Sequence, residues 1–174
     1  MATALISLDE YLHTNYEPDV GFVDGLLAGR NTGTRVHGML HLIAGSFFLP
    51  LRRSHGLRAM TECRLLLNAS NNRHRIPDVM VIEEPYLKGT VITDIPAIVI
   101  EIKSPDDILD EVIDKCLEYA DLGICNIVVL APDNRRAYIF RNRALQMVES
   151  IVLQLPKCGK ELLFPVDRMF AELE

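Results

Sequence analysis

Apolar residues along the chain follow two spacings, and each spacing predicts a different kind of element. Over residues 34–49 they recur every three or four positions, which indicates an amphipathic helix that ends before Pro50. The same spacing over residues 104–122 predicts a second, longer helix. Ser104 is its expected N-cap, and Gly123 is the expected end.

Short apolar runs predict strands before and after the second helix. Residues 96–102 and 124–130 are almost continuously apolar, which is typical of strands buried on both faces of a sheet. Residues 58–67 and 75–83 predict two earlier strands, with Pro77 near the start of the second. The order of helix, strands, long helix and strand predicts an α/β fold, a mixed sheet flanked by helices with a right-handed crossover.

The first part of the chain predicts smaller elements. Ser7, followed by two acidic residues, indicates the N-cap of a short helix that extends to about His13. Asp24 and Gly25 stand between apolar residues and predict a turn that joins two strands. No repeat, low-complexity tract or linker interrupts the sequence, so residues 1–174 are predicted to form a single domain.

Composition and charge narrow the class of protein. Hydrophobic residues make up 49% and charged residues 24%, and no apolar run approaches the roughly 20 residues that cross a bilayer. The N-terminus does not resemble a signal peptide, so a cytoplasmic protein with free thiols is expected. A net charge of −6 argues against a protein that coats nucleic acid, but not against an enzyme that acts on DNA through local arginine clusters.

Charged residues end the predicted central strand, where an isolated charge would be costly. Because strand side chains alternate, Glu101 and Lys103 should share one face while Ile102 points into the core. Asp78, on an earlier strand, can place a second carboxylate beside Glu101 if the two strands are neighbours. Two adjacent carboxylates repel unless a cation lies between them, and their oxygens suit Mg²⁺, or Mn²⁺ in its place.

The segments Pro77-Asp78 and Glu101-Ile102-Lys103 resemble the PD-(D/E)XK nuclease superfamily. Further segments narrow the resemblance to the bacterial restriction-endonuclease-like family, over about residues 7–145. These segments are Asp9-Glu10-Tyr11-Leu12, Phe22-Val23-Asp24-Gly25, the helix with His37, Arg75-Ile76-Pro77-Asp78-Val79, Val99 to Pro105, and the helix with Lys115 and Tyr119 before Gly123.

The resemblance implies a metal-dependent endonuclease that hydrolyses DNA phosphodiester bonds. The resemblance further implies that Asp78 and Glu101 bind the metal, with the backbone carbonyl of Ile102 as a further ligand. Lys103 is expected to orient or deprotonate the attacking water. Relatives that lack a lysine there rely on one in the next helix, where this chain has Lys115. The resemblance also implies a homodimer. The candidate surfaces in this sequence are the hairpin around Tyr138 and Phe140 and the apolar segment Leu162-Leu163-Phe164, unless both pack onto the protein's own core.

Other interpretations of the same residues stay open. Relatives commonly have a glutamate where this chain has Gly21, and either Glu17 or Asp19 is a candidate replacement. Without such a replacement, the chain fits a catalytically inactive, homodimeric interaction or regulatory protein. A nucleotide-binding protein that uses the same cation is a third hypothesis.

Several candidate site residues also have simpler roles. Glu101 with Lys103, or Lys115 with Glu111, would form ordinary surface ion pairs. His37 and His41 have the spacing of a zinc site without an evident third ligand. His37 is instead expected to line the acidic site, and His41 to pack near Phe47. Asp24 is chiefly a turn residue that could reach the site.

Overall fold

The computed structural model describes residues 5–17, 20–28, 34–68 and 73–174. The helices in these ranges are α1 (Leu8–His13), α2 (Arg35–Phe48), α3 (Arg52–His55), α4 (Leu109–Leu122) and α5 (Val166–Ala171). The strands are β1 (Gly21–Val23), β2 (Leu26–Ala28), β3 (Leu57–Thr61), β4 (Leu65–Asn68), β5 (Arg73–Arg75), β6 (Val79–Glu83), β7 (Ile98–Ile102), β8 (Asn126–Ala131), β9 (Arg136–Arg141), β10 (Ala144–Val148), β11 (Ile151–Leu155) and β12 (Lys160–Phe164).

A mixed six-stranded sheet forms the centre of the fold, in the order β10-β9-β8-β7-β6-β3. Strands β7 and β8 are parallel and are joined through α4, whereas the other neighbouring pairs are antiparallel. One apolar core lies between this sheet and α2, α5 and the β11–β12 hairpin, and a second lies between the sheet and α4. A smaller sheet has the order β2-β1-β5-β4. The predicted α/β fold with a mixed sheet and flanking helices is confirmed.

Strong local signals placed several elements correctly. The Thr34 hydroxyl accepts a hydrogen bond from the His37 amide at the start of α2, and Pro50 follows its end in a 3₁₀ turn. Asp24 and Gly25, both at positive φ, turn β1 into β2. Strands β7 and β8 are buried along their whole length, as their continuous apolar sequences predict.

Two predicted strands were wrong in extent. Residues 58–67 form β3 and β4, which belong to different sheets, because the chain turns at Glu62 with φ of 52°. Residues 75–83 are likewise divided into β5 and β6 by the segment from Ile76 to Asp78. Pro77 lacks an N–H to donate to a ladder, which favours a break at this point.

The long helix begins later than predicted. Its N-cap is Ile108, because the Ser104 amide donates to the Asp107 carboxylate at 2.7 Å and the Asp107 amide donates back to the Ser104 carbonyl. These bonds close a separate turn in place of the expected first helical turn. Gly123, at φ of 94°, ends α4 as predicted.

The aromatic residues expected at a dimer surface pack largely onto the protein's own core. Phe140 and Phe164 are buried, and Tyr138 and Leu162 pack against the two cores, while Leu163 is exposed. The cysteines are free thiols, of which Cys116 is buried. None of the helices within the described ranges has the length and apolar character that a bilayer crossing requires.

Asn126 joins the β11–β12 hairpin to the central sheet. Its fully buried amide donates to the carbonyls of Ala97 and Gln154 at 2.7 Å and accepts from the Gln154 amide at 2.8 Å. Asn126→Ala leaves these backbone groups without partners, so we expect the free energy of unfolding to fall by about 2–3 kcal/mol in a urea titration. Gln154→Ala, which keeps the backbone bonds, is the control. Equal stability of the two variants would contradict this role.

Candidate active site

Two buried carboxylates, those of Asp78 and Glu101, lie side by side at one end of the paired strands β6 and β7. Strands β6 and β7 pair Val79 with Ile100, and continuing that register by one residue places Asp78 opposite Glu101. Each residue is 5% exposed. Both side chains lie on the face of the sheet that α4 covers, because they alternate with residues of the opposite core.

Asp78 is held by backbone and histidine contacts. The Ile102 amide donates to Asp78 Oδ2 at 2.7 Å, and His37 Nε2 lies 3.4 Å from the same oxygen. His41 Nε2 contacts the Asp78 backbone carbonyl, and since a carbonyl only accepts, that nitrogen donates. His37 therefore lines the acidic site as predicted. His41 thus contacts the backbone of Asp78.

Glu101 receives hydrogen bonds from two side chains of α4. The Tyr119 hydroxyl donates to Oε1 at 2.7 Å, and Lys115 Nζ lies 3.4 Å from Oε2. Burial raises the pKa of the Glu101 carboxyl; the Lys115 ammonium opposes this rise, and the Asp78 carboxylate adds to it. Glu101 in turn raises the pKa of Lys115, so the amine stays charged at neutral pH.

The two candidate lysines occupy different positions. Lys115 contacts Glu101 across the strand–helix interface and is therefore more than a surface partner of Glu111. Lys103 donates from Nζ to the Ser104 carbonyl at 3.0 Å and also lines a neighbouring cavity. The structure thus brings Asp78, Glu101 and Lys115 together and places Lys103 beside this group.

A clamp of charged residues fixes α4 against the small sheet. Glu118 accepts from Arg75 Nε at 2.6 Å, from Arg75 Nη2 at 3.1 Å and from Arg73 Nη1 at 3.0 Å. Glu118 lies between Lys115 and Tyr119 along the helix, so the clamp also positions both of these side chains. Asp24, a candidate site residue, pairs instead with Arg73 at 2.7 Å.

Tyr119 and the Arg75–Glu118 pair contribute to the site although neither was predicted to have a chemical role. A signal for Tyr119 was present, since Lys115 and Tyr119 lie four residues apart and share a helix face. The contact between Arg75 and Glu118 has no such local signal, because the two residues lie 43 positions apart in the sequence.

The donor set fits a hard divalent cation. Mg²⁺ in proteins commonly binds through one or two carboxylates and keeps several waters, and Asp78 with Glu101 supplies two carboxylates. The described residues contain no group of three or more histidine, cysteine, aspartate and glutamate side chains arranged around a metal position. At Ile102, the amide contacts Asp78, whereas the predicted metal contact of its carbonyl stays a prediction.

The position where relatives have a glutamate offers no obvious replacement. Gly21 is buried in β1, and Glu17 is exposed. Asp19, the other candidate, lies outside the described residues. Cys116 follows Lys115 on α4, and burial raises the pKa of its thiol to about 12, which argues against a nucleophilic thiolate at the site.

Comparisons with known proteins identify a family and a fold for this chain. A family model, Uma2, described as "Putative restriction endonuclease", matches residues 8–165. The chain also resembles a solved structure described as a putative nuclease belonging to DUF820 from Anabaena variabilis. The two share 20% identity and a TM-score of 0.79 over 97% of this chain and 99% of that one, which shows a common fold.

A second solved structure resembles two thirds of this chain. A complex of DrdV with DNA matches 66% of this chain and 12% of that chain, at 19% identity and a TM-score of 0.40. No curated protein matches the chain. Since the family model spans most of the sequence, the chain belongs to the Uma2 family, whose model bears the description "Putative restriction endonuclease".

Proposed function

We propose that this protein is a Mg²⁺- or Mn²⁺-dependent endonuclease that hydrolyses phosphodiester bonds of DNA. The observation that carries the proposal is the pair of buried carboxylates, Asp78 just before β6 and Glu101 on the neighbouring β7, with the Lys115 ammonium 3.4 Å from Glu101. Membership of the Uma2 family supports the same reaction class.

In this proposal Asp78 and Glu101 would hold the cation, with the Ile102 carbonyl as a further ligand. A cation bound there would supply Lewis acidity towards the phosphate and would make a water more acidic. Hydrogen bonds from the Ile102 amide and from Tyr119 fix the two carboxylates before substrate binds.

Lys115 presents a cation on the same side of the sheet. We assign it to stabilising the negative charge that develops on the phosphate oxygens during attack. Lys103 lies further along the strand, where its ammonium would contact the nucleic-acid backbone. The charge of −6 for the whole chain restricts such contacts to local basic groups.

The wild-type protein is expected to nick supercoiled plasmid DNA when Mn²⁺ or Mg²⁺ is added and to stop when the metal is chelated. Gel electrophoresis measures the cleavage, and a calorimetric titration with Mn²⁺ measures binding independently of the substrate. Protein with metal and an excess of chelator provides the control for both assays.

Inert protein that also fails to bind Mn²⁺ at millimolar concentration would overturn the proposal. The alternative, a catalytically inactive homodimeric interaction or regulatory protein, would then be favoured, in keeping with Gly21. Light scattering of the protein at micromolar concentration would test the homodimer directly.

A further inference from the structure

A cavity lies on the same side of the central sheet as the acidic site. It has a volume of about 510 Å³ and lies between the first half of α4 and strands β8 to β10. Its apolar walls come from both layers, with Leu109 and Ile113 from α4 and Val129 and Leu145 from the strands. The volume and the apolar lining are those of a site for a small molecule or for one group of a larger one.

Lys103 connects the cavity to the acidic site. It lines the cavity and follows Glu101 by two residues, a distance of about 7 Å along an extended chain. Its ammonium donates to the Ser104 carbonyl, next to the strand end that carries Glu101. A ligand with an anionic group at Lys103 and a flat apolar body in the cavity would satisfy both environments.

Three further polar side chains of the lining suit a nucleobase, and Arg143, which also lines the cavity, is paired with Asp121. Tyr138 provides an aromatic ring, and base–aromatic stacking is a common way to hold an unpaired base. Asn134 provides an amide that both donates and accepts, and Asp133 provides a carboxylate that accepts from amino groups. Asparagine commonly pairs with adenine, and aspartate accepts from the amino group of cytosine.

We propose that this cavity receives an unstacked adenine or cytosine from the nucleotide next to the phosphodiester that is cut. This inference rests on the proposed endonuclease function and adds a base preference to it. Lys103 contacts the phosphate of that nucleotide, while its base occupies the space between α4 and the strands. A base that leaves the helical stack loses stacking energy, so single-stranded or distorted DNA would be the preferred substrate.

The test uses the metal-free, full-length protein, so that cleavage is not needed for a result. Calorimetry compares deoxyadenosine and deoxycytidine 5′-monophosphates with thymidine 5′-monophosphate and with 2-deoxyribose 5-phosphate, which lacks a base. We expect adenine and cytosine nucleotides to bind at least about tenfold more tightly than the base-free sugar phosphate, with the thymine nucleotide between them.

A pair of variants on β10 tests the location. Ala144→Phe places a large side chain in the lining and should weaken nucleotide binding at least about tenfold. Gln146→Phe, on the same strand but outside the lining, should bind like the wild type. Ile113→Phe, which narrows the cavity from α4, repeats the test if Ala144→Phe does not fold.

Methyl NMR spectra of the wild type give an independent location. Shifts at Ile113, Val129 and Leu145 on addition of nucleotide would support the proposal. Shifts confined to another surface, equal binding of the base-free sugar phosphate, or equal affinities of the Ala144→Phe and Gln146→Phe variants would each overturn it.

The outcome is separate from that of the endonuclease proposal. Metal-dependent cleavage without selective base binding overturns the cavity proposal and leaves the nuclease. Selective base binding at this cavity without cleavage supports the base site and counts against the nuclease.

Discussion

Asp78→Asn is expected to slow metal-dependent DNA cleavage by about three orders of magnitude, or about 4 kcal/mol of transition-state stabilisation. The substitution removes one of the two negative charges that would hold the cation. Asparagine keeps a side-chain oxygen that can accept the hydrogen bond of the Ile102 amide, so the fold should survive. Initial rates of plasmid nicking at saturating Mn²⁺ measure the loss, and circular dichroism confirms the fold.

Glu83 offers a matched control at the far end of β6, the strand that begins directly after Asp78. It is also a buried carboxylate of β6, but it accepts hydrogen bonds from the amides of Lys157 and Cys158, away from the acidic pair. Glu83→Gln should therefore nick DNA within about twofold of the wild-type rate once folded, even if it melts at a lower temperature. A folded Asp78→Asn protein that cuts at the wild-type rate would refute the assignment of the site.

Lys115→Ala is expected to slow cleavage at least about 100-fold, and Lys103→Ala only about tenfold. The expected difference between the two variants follows from where the lysines lie. Lys115 Nζ is 3.4 Å from the Glu101 carboxylate, whereas Lys103 Nζ donates to the Ser104 carbonyl. Loss of Lys115 should appear mainly in kcat, because its charge is needed most when negative charge develops on the phosphate. Loss of Lys103 should appear mainly in KM, because its contact is with bound substrate.

Lys115→Arg provides the control for charge. It keeps a cation beside Glu101 and should recover part of the rate lost in Lys115→Ala, while its planar guanidinium limits full recovery. A larger loss of cleavage rate in Lys103→Ala than in Lys115→Ala would reverse the roles assigned to the two lysines.

The elements that were predicted correctly have strong local signals. Helix α2 has a threonine N-cap and a proline just after its end, and each acts within one turn of the backbone. Strands β7 and β8 are apolar at nearly every position, which is required only when both faces of a strand are buried.

The elements that were wrong have local sequences that are compatible with more than one structure. Residues 58–67 have the composition of a single strand, but β3 pairs with β6 and β4 pairs with β5 in another sheet. Ser104 and Pro105 are suited to a helix start, yet Asp107 binds the Ser104 amide and closes a different turn. The capping signal and this turn use the same residues, so the local sequence favours both.

Residue type and the alternation of strand side chains were enough to predict Asp78, Glu101 and a nearby amine as a candidate site, because both are local properties of the chain. The order of the apolar segments was likewise enough to predict the α/β class. The folded chain brings Lys115 and Tyr119, rather than Lys103, into contact with Glu101, and it pairs Glu118 with arginines of a separate sheet. Those contacts depend on how α4 packs across the sheet, and the spacing of residues along the chain does not fix that packing.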